Sequence, residues 1–416
     1  MLPIAAAWLT APAILRKSAA RDDWKPIRTM TGSRPKMQRH SFCKFWLPIG
    51  IALAALPLSV HAQNSPDAAA DYQAKLAQYL RVHGAFETEA NEYWNDVSNK
   101  RRIRNAKRRE HRPIALDDYV LVQPPVYAGP PRPINPFAPP VPPSERPEIP
   151  VIADFLQAAK EYFDFVPERR SEAEFKRAYA RAALAAGLTK QQIVRVYAFE
   201  TGGNGTYDTQ AGVTPARTRA ISPAIGYNQL LSTNTVSILA EQGHHFVATL
   251  RRKAQALSGS ARSAMERKIE ALKRMVDYSR TIPPRWSEYD RIAKHTPKGF
   301  GMHAAILDID IGPLLQVQKL LDSVRFARAK GYAAPLSAAE LELMNLTGDG
   351  NGFDMVTMPP SMRERVPTAN FFQPQGYYRN PVARRTKVVA GLIAEMEATM
   401  ARGAQAPGAR DLAASF

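Results

Sequence analysis

Glu200 is the side chain whose type and neighbours best suit proton chemistry. It closes the stretch Tyr197-Ala198-Phe199-Glu200, and Thr201, Gly202 and Gly203 follow at once. A helix beginning at Thr189 places Ile193, Val196 and Tyr197 on one stripe at about 100° per residue, with Glu200 between them and Arg195 opposite. The glycine pair ends that helix, so Glu200 sits in its last turn. Burial disfavours the charged form of a carboxyl. The negative end of the helix dipole disfavours it further, by a few tenths to about 1 kcal/mol. A carboxyl that keeps its proton near neutral pH is what a general acid requires. The same position also suits a carboxylate paired with an arginine or frayed into water, and the wheel alone leaves both open.

A second block follows in Ala220–Gly243. It has a Ser222-Pro223 turn, then Gly226-Tyr227-Asn228-Gln229-Leu230, then a helical run. Gln229 is an amide in an apolar setting, and a neutral hydrogen-bonding group beside a neutral acid suits a carbohydrate. Asp208, on the turn after Glu200, is the nearest second carboxylate in sequence, although an Asx-turn is its simpler reading.

These two pieces, in this order, resemble the lytic transglycosylases of the goose-lysozyme-like superfamily. That family has Glu-Ser at a helix end, a serine-glycine turn, then Gly-Leu-Met-Gln-Leu followed by Thr-Ala. Glu200-Thr201, Ser222, Gly226 to Leu230 and Thr235-Val236 stand at the matching places, and the resemblance covers residues 194–240. It implies a lysozyme-like helical domain that cleaves the MurNAc–GlcNAc β-1,4 bond of peptidoglycan. Glu200 would be the single general acid and base, and a 1,6-anhydroMurNAc product would form. Thr201, Ser222, Gly226, Tyr227, Asn228, Gln229 and Leu230 would line the glycan site. The sequence departs from the family where Leu-Met has become Tyr227-Asn228, which alters the expected cleft floor. The family's later Ala-Tyr-Asn-Gly block has a loose counterpart in Glu342–Gly352, where Asn345 matches the asparagine and Met344 replaces the tyrosine. Tyr378 is the candidate for the missing phenol. A muramidase hydrolysing the same bond and a non-catalytic peptidoglycan-binding scaffold are the alternatives.

No cofactor is expected. Asn345, Thr347 and Asp349 fall in EF-hand register, but Val356 occupies the place of the bidentate acid, so this run reads as a glycine-rich cleft loop. His244 and His245 are adjacent and cannot share a helix face, His303 lacks ligand spacing, and neither a phosphate-cradling loop nor a nucleophile elbow is present.

The elements that must position these residues read as helix after helix, so the expected class is mainly α. Ser171 with Glu174, Thr189 with Gln192, and Ser337 with Glu340 form capping boxes. Residues 247–278 read as a long amphipathic helix broken near Gly259. Asn380-Pro381 reads as the start of a last helix running to about Ala401. Residues 124–150 carry twelve prolines and read as an extended linker. Before it lies a helical and basic segment, residues 63–123, whose run Lys100–Arg112 reads as a solvated face or a disordered arm. The catalytic domain is then expected over 151–403, with a tail over 404–416.

The chain has 416 residues, 45% of them apolar, enough for a sizeable core. Its 56 Lys and Arg against 38 Asp and Glu give a net charge of +18, which favours polyanions such as nucleic acid, anionic membranes and cell wall. Residues 37–62 read as a secretory signal peptide ending near Ala62, preceded by an upstream extension, 1–36, that suggests a misassigned start. Export to a periplasm argues for peptidoglycan as the partner and against nucleic acid, with no stable membrane span once the leader is removed. The single cysteine, Cys43, lies in that leader, so thiol, disulfide and cysteine–metal chemistry are excluded from the mature chain.

Overall fold

The computed structural model of the protein describes residues 66–138, 148–214 and 218–416. The expected leader, the extension before it and the centre of the proline-rich segment lie outside the described residues. Among those residues the fold is mainly α, with sixteen α-helices, isolated bridges and no sheet.

The described residues divide into two units. The smaller holds residues 66–82, the first turns of helix α1 (Pro66–Arg109), together with residues 129–138 of the proline-rich segment. The larger holds residues 83–128 and 148–416. Everything below concerns the larger unit.

Helices α2 (Ile152–Phe163), α3 (Glu172–Ala185) and α4 (Lys190–Thr201) open its main body. The three expected capping boxes are formed. Thr189 Oγ1 accepts from the Gln192 N–H at 3.2 Å while Gln192 Oε1 accepts from the Thr189 N–H at 2.8 Å. Ser171 with Glu174 and Ser337 with Glu340 repeat the device. Each cap satisfies otherwise orphaned donors and contributes about 1 kcal/mol. Residues 247–278 fall on two helices that pack together as a hairpin, α5 (Ser232–Gln255) and α6 (Gly259–Arg280), and Gly259 turns the chain at φ 55°. A Cβ on Gly243 would lie 2.3 Å from Val276 Cγ2, so glycine there is what lets the two helices approach.

Next come α7 (Trp286–His295), α8 (Pro297–His303), α9 (Gly312–Ala329), α10 (Ala338–Thr347) and α11 (Asp349–Thr357). The run expected to be a glycine-rich loop is thus the junction of α10 and α11. Gly348 makes the turn at φ 80°, and Asp349 opens α11 with its Oδ1 accepting from Ser323 Oγ at 2.8 Å. After α12 (Pro360–Arg363) and α13 (Pro374–Arg379), Asn380 caps a helix as expected, but α14 (Pro381–Thr386) is short. Lys387 breaks it at φ 61°, because Lys387 O and the Val389 N–H pair with Thr368 and Val366 in a strand-like bridge. The long final helix is α15 (Val389–Gly403), and the expected tail instead contains α16 (Pro407–Ala413). Ala409 and Leu412 are fully buried and α16 packs on α3 and α4, so these residues belong to the body.

The basic run also differs from its expected solvated or disordered state. It is helical to Arg109, and the Arg104 guanidinium is fully buried. Its Nε donates to Asp354 Oδ2 at 3.1 Å and its Nη1 to Asp118 O at 2.9 Å, and it stacks 4.3 Å from the Tyr119 ring centre. Tyr119 donates to the other Asp354 oxygen at 2.7 Å, and Arg101 Nη2 reaches Asn370 O and Phe372 O, each at 2.9 Å. The spacing 101, 104, 108 is a helical stripe, and that stripe faces the body. Removing a fully buried, paired guanidinium empties its site and leaves Asp354 with Arg108 as its one arginine. Arg104→Ala is therefore expected to lower unfolding free energy by about 3 kcal/mol in urea denaturation, against a near-neutral effect for the exposed Arg102→Ala.

Candidate active site

Helix α4 presents Glu200 from its last turn. Ile193, Val196 and Tyr197 are fully buried and Glu200 itself is only 5% exposed, as the apolar stripe predicts. Gly202 stops the helix in the left-handed conformation at φ 65°. Gly203 must lie close to the chain after α15, since a Cβ there would fall 2.1 Å from Gly403 O.

Helix α10 packs along α4 and delivers two polar side chains three residues apart, Glu342 and Asn345. Asn345 Nδ2 donates to Glu200 Oε1 at 3.1 Å and lies 3.3 Å from Glu342 Oε1. The same amide therefore holds the two carboxyls close to one donor. Both are buried, Glu342 completely. Burial is the first cause that holds Glu200 well above the usual carboxylate range, and the Glu342 charge is the next. Burial likewise pushes Glu342 up to about 8. Lys319, on α9, and the Asn345 amide pull both carboxyls the other way. The two helices are locked in register at their starts, where Gln192 Nε2 donates to Leu336 O at 2.7 Å just before the α10 cap.

The second block forms a scaffold against this site. Gly226 has φ 85°, and a Cβ there would meet Gln316 Nε2 at 2.8 Å. Tyr227 is fully buried, its hydroxyl donating to Glu172 Oε1 at 2.6 Å and its ring 5.1 Å from both Tyr179 and Tyr197. Asn228 accepts from the Tyr179 hydroxyl at 2.9 Å and donates from Nδ2 to Gln316 O at 2.9 Å. The Tyr-Asn departure from the family pattern therefore fills the core rather than altering a cleft floor. Gln229, strained at φ 41°, spends its amide N–H groups on Gly226 O and Thr209 O. Leu230 pairs with Ile225 through both backbone groups, Ser222 Oγ accepts from the Ala224 N–H at 3.2 Å, and Thr201 Oγ1 donates to Tyr197 O at 2.7 Å. His303 fastens the block to α8, with Nδ1 2.8 Å from Thr235 Oγ1 and Nε2 2.9 Å from Pro223 O. Burial holds its imidazole down to about 4, so it stays neutral.

Of the expected site residues, the structure thus joins Asn345 to Glu200 directly and commits Thr201, Ser222, Gly226, Tyr227, Asn228, Gln229 and Leu230 to internal bonds and packing. Tyr378 is engaged elsewhere. Its hydroxyl donates to Pro125 O at 3.2 Å and accepts from Trp94 Nε1 at 3.4 Å, within an aromatic cluster that includes Tyr377. Met344 is buried among Leu336, Leu341 and Val356. Asp208 pairs with Arg169 and accepts from Thr206, as a turn residue does. The second carboxyl at Glu200 is Glu342, which the sequence reading did not single out. Its one signal is an acid flanked by Leu341 and Leu343 and spaced one turn from Asn345.

An open groove of about 860 Å3 lies elsewhere, between α3 and the α5–α6 hairpin. Arg177, Arg181 and Arg267 line it, while of its three acids Glu168 and Asp310 are taken up by Arg170, Lys253 and Lys268, and Glu174 accepts from Ser171. Among the described residues, no group of three or more His, Cys, Asp or Glu side chains comes together as a metal site would need, and no helix is long and apolar enough to cross a membrane.

The chain matches no family model, no curated protein and no solved structure.

A carboxyl whose pKa is raised by folding stabilises the protein below its unfolded value, and that stability is lost as pH rises towards the folded value. For this pair the window opens near the ordinary carboxyl value and extends to about 8 for Glu342. Glu200→Gln removes the repulsion. It is expected to raise the melting temperature by a few degrees at pH 8 and by less at pH 5, measured by scanning calorimetry at both pH values.

Proposed function

We propose that this chain is an exported peptidoglycan lytic transglycosylase that cleaves the MurNAc–GlcNAc β-1,4 bond, with Glu200 as its general acid and base. The observation that carries the reading is the buried Glu200 carboxyl, joined to Glu342 through the Asn345 amide and held by burial well above the usual carboxylate range. Glu200 donates that proton to the glycosidic oxygen as the bond from C1 to that oxygen breaks, and GlcNAc leaves with a free 4-hydroxyl. The resulting carboxylate takes the proton of the MurNAc 6-hydroxyl, O6 closes on C1, and Glu200 ends protonated. The sugar supplies its own nucleophile.

Transglycosylation is preferred over hydrolysis because it needs a single carboxyl, whereas hydrolases pair two across the bond, and Glu342 is completely buried. Export, with peptidoglycan rather than nucleic acid as the partner, belongs to the same reading and rests on the leader sequence. The second reading, a wall-binding scaffold without catalysis, is favoured by the near-complete burial of Glu200 and by the cationic groove, which suits the anionic stem peptides of cell wall.

Purified residues 63–416 incubated with sacculi are expected to release 1,6-anhydro muropeptides, identified by mass spectrometry. Glu200→Gln is expected to reduce release by at least about a hundredfold while sacculus binding persists. Reducing-end products would indicate the muramidase, and binding without release the scaffold.

A further inference from the structure

We infer that Glu342 is a positioning residue for Glu200: the two carboxyls share one proton in a buried cluster bridged by Asn345, and Glu342 keeps that proton available to Glu200 and makes the spent Glu200 carboxylate the stronger base. The inference rests on the transglycosylase reading for its effect on rate, but the shared proton exists or fails independently of any substrate.

One amide, Asn345 Nδ2, reaches both carboxyls, at 3.1 Å and 3.3 Å, so the three groups are held in one cluster. Glu342 is completely buried, and its carboxyl accepts from Asn345. An unpaired carboxylate at such a depth is costly, so the pair retains a proton rather than ionising twice. On α9, Lys319 is half-buried and acts on both carboxyls at longer range. On α15, Glu397 is bound to Arg195, and on α16, Asp411 is engaged with Lys176. On α3, Glu172 accepts from Tyr227, and Glu174 is spent on the Ser171 cap.

The consequence bears on the second half of the reaction. Once Glu200 has given its proton to the leaving oxygen, two carboxyls share a dry site with one fewer proton. That excess charge drives recapture of a proton from the incoming 6-hydroxyl, a poor acid that an ordinary carboxylate deprotonates weakly. The proton count closes over the cycle, since one leaves and one returns. Glu342 touches neither bond that changes. It acts through Glu200.

Two variants test this through readouts that a structural role alone would not move. With Glu342→Gln, the alkaline limb of kcat/KM on sacculi is expected to fall by about one pH unit or more, because a like charge is removed. With Asn345→Ala, which removes a donor to the ionised forms, the limb is expected to rise. The Glu200 carboxyl carbon, titrated by 13C NMR in wild type and both variants and assigned by its loss in Glu200→Gln, is expected to show the same two opposite displacements without substrate. Unchanged midpoints in both variants would overturn the shared proton. Displaced midpoints in a wild type that cleaves no glycan would preserve the pair and refute the glycan reading. Cleavage with unmoved midpoints would do the reverse. Should Glu342→Gln fail to fold, Asn345→Ala still decides the sign.

Discussion

The structure turns on one costly arrangement: two carboxyls, Glu200 and Glu342, buried against each other between α4 and α10. Water is the usual solvent for such groups, and a dry interior tolerates them only if they hold a proton and a donor. Asn345 supplies the donor, and burial favours the protonated form. The rest of the body works to keep those two helices at that separation. Capping boxes fix where each begins, the Gln192 to Leu336 bond sets their register, and Gly202 ends α4 two residues past the acid.

Around this pair, the residues that most resemble a family signature do structural work. Tyr227 and Asn228 are bound to Glu172, Tyr179 and Gln316 from α3 and α9, so the Gly226–Leu230 turn is a rigid wall behind α4. Gly226 is required there by its φ and by the proximity of Gln316. His303, neutral and bonded on both nitrogens, anchors the far end of the same wall. At the chain's end, α16 covers α3 and α4, which makes the C-terminal residues part of the support rather than an appendage.

What sequence reveals here is local. The burial of Glu200 follows from its wheel position, and the helix ends follow from serine, threonine, asparagine and glycine at caps. What it hides is long-range pairing. Glu200 and Asn345 are 145 residues apart and Arg104 and Asp354 are 250 apart, and no periodicity announces that such groups meet. Arginines on one stripe of a helix look the same in sequence whether they face water or a buried aspartate. Glu342 was obscured for a related reason. An acid between two leucines on a short helix reads as an exposed position, yet α10 is covered by α4, α9, α11 and α15. The short α14 and its break at Lys387 arise from a bridge to Val366 and Thr368, which local propensity cannot foresee.

Whether burial with Glu342 keeps Glu200 protonated at neutral pH is read by difference infrared spectroscopy of wild type against Glu200→Gln at pH 7. A protonated-carboxyl carbonyl band is expected to disappear in the variant. Disappearance of a carboxylate band alone would overturn the shared proton.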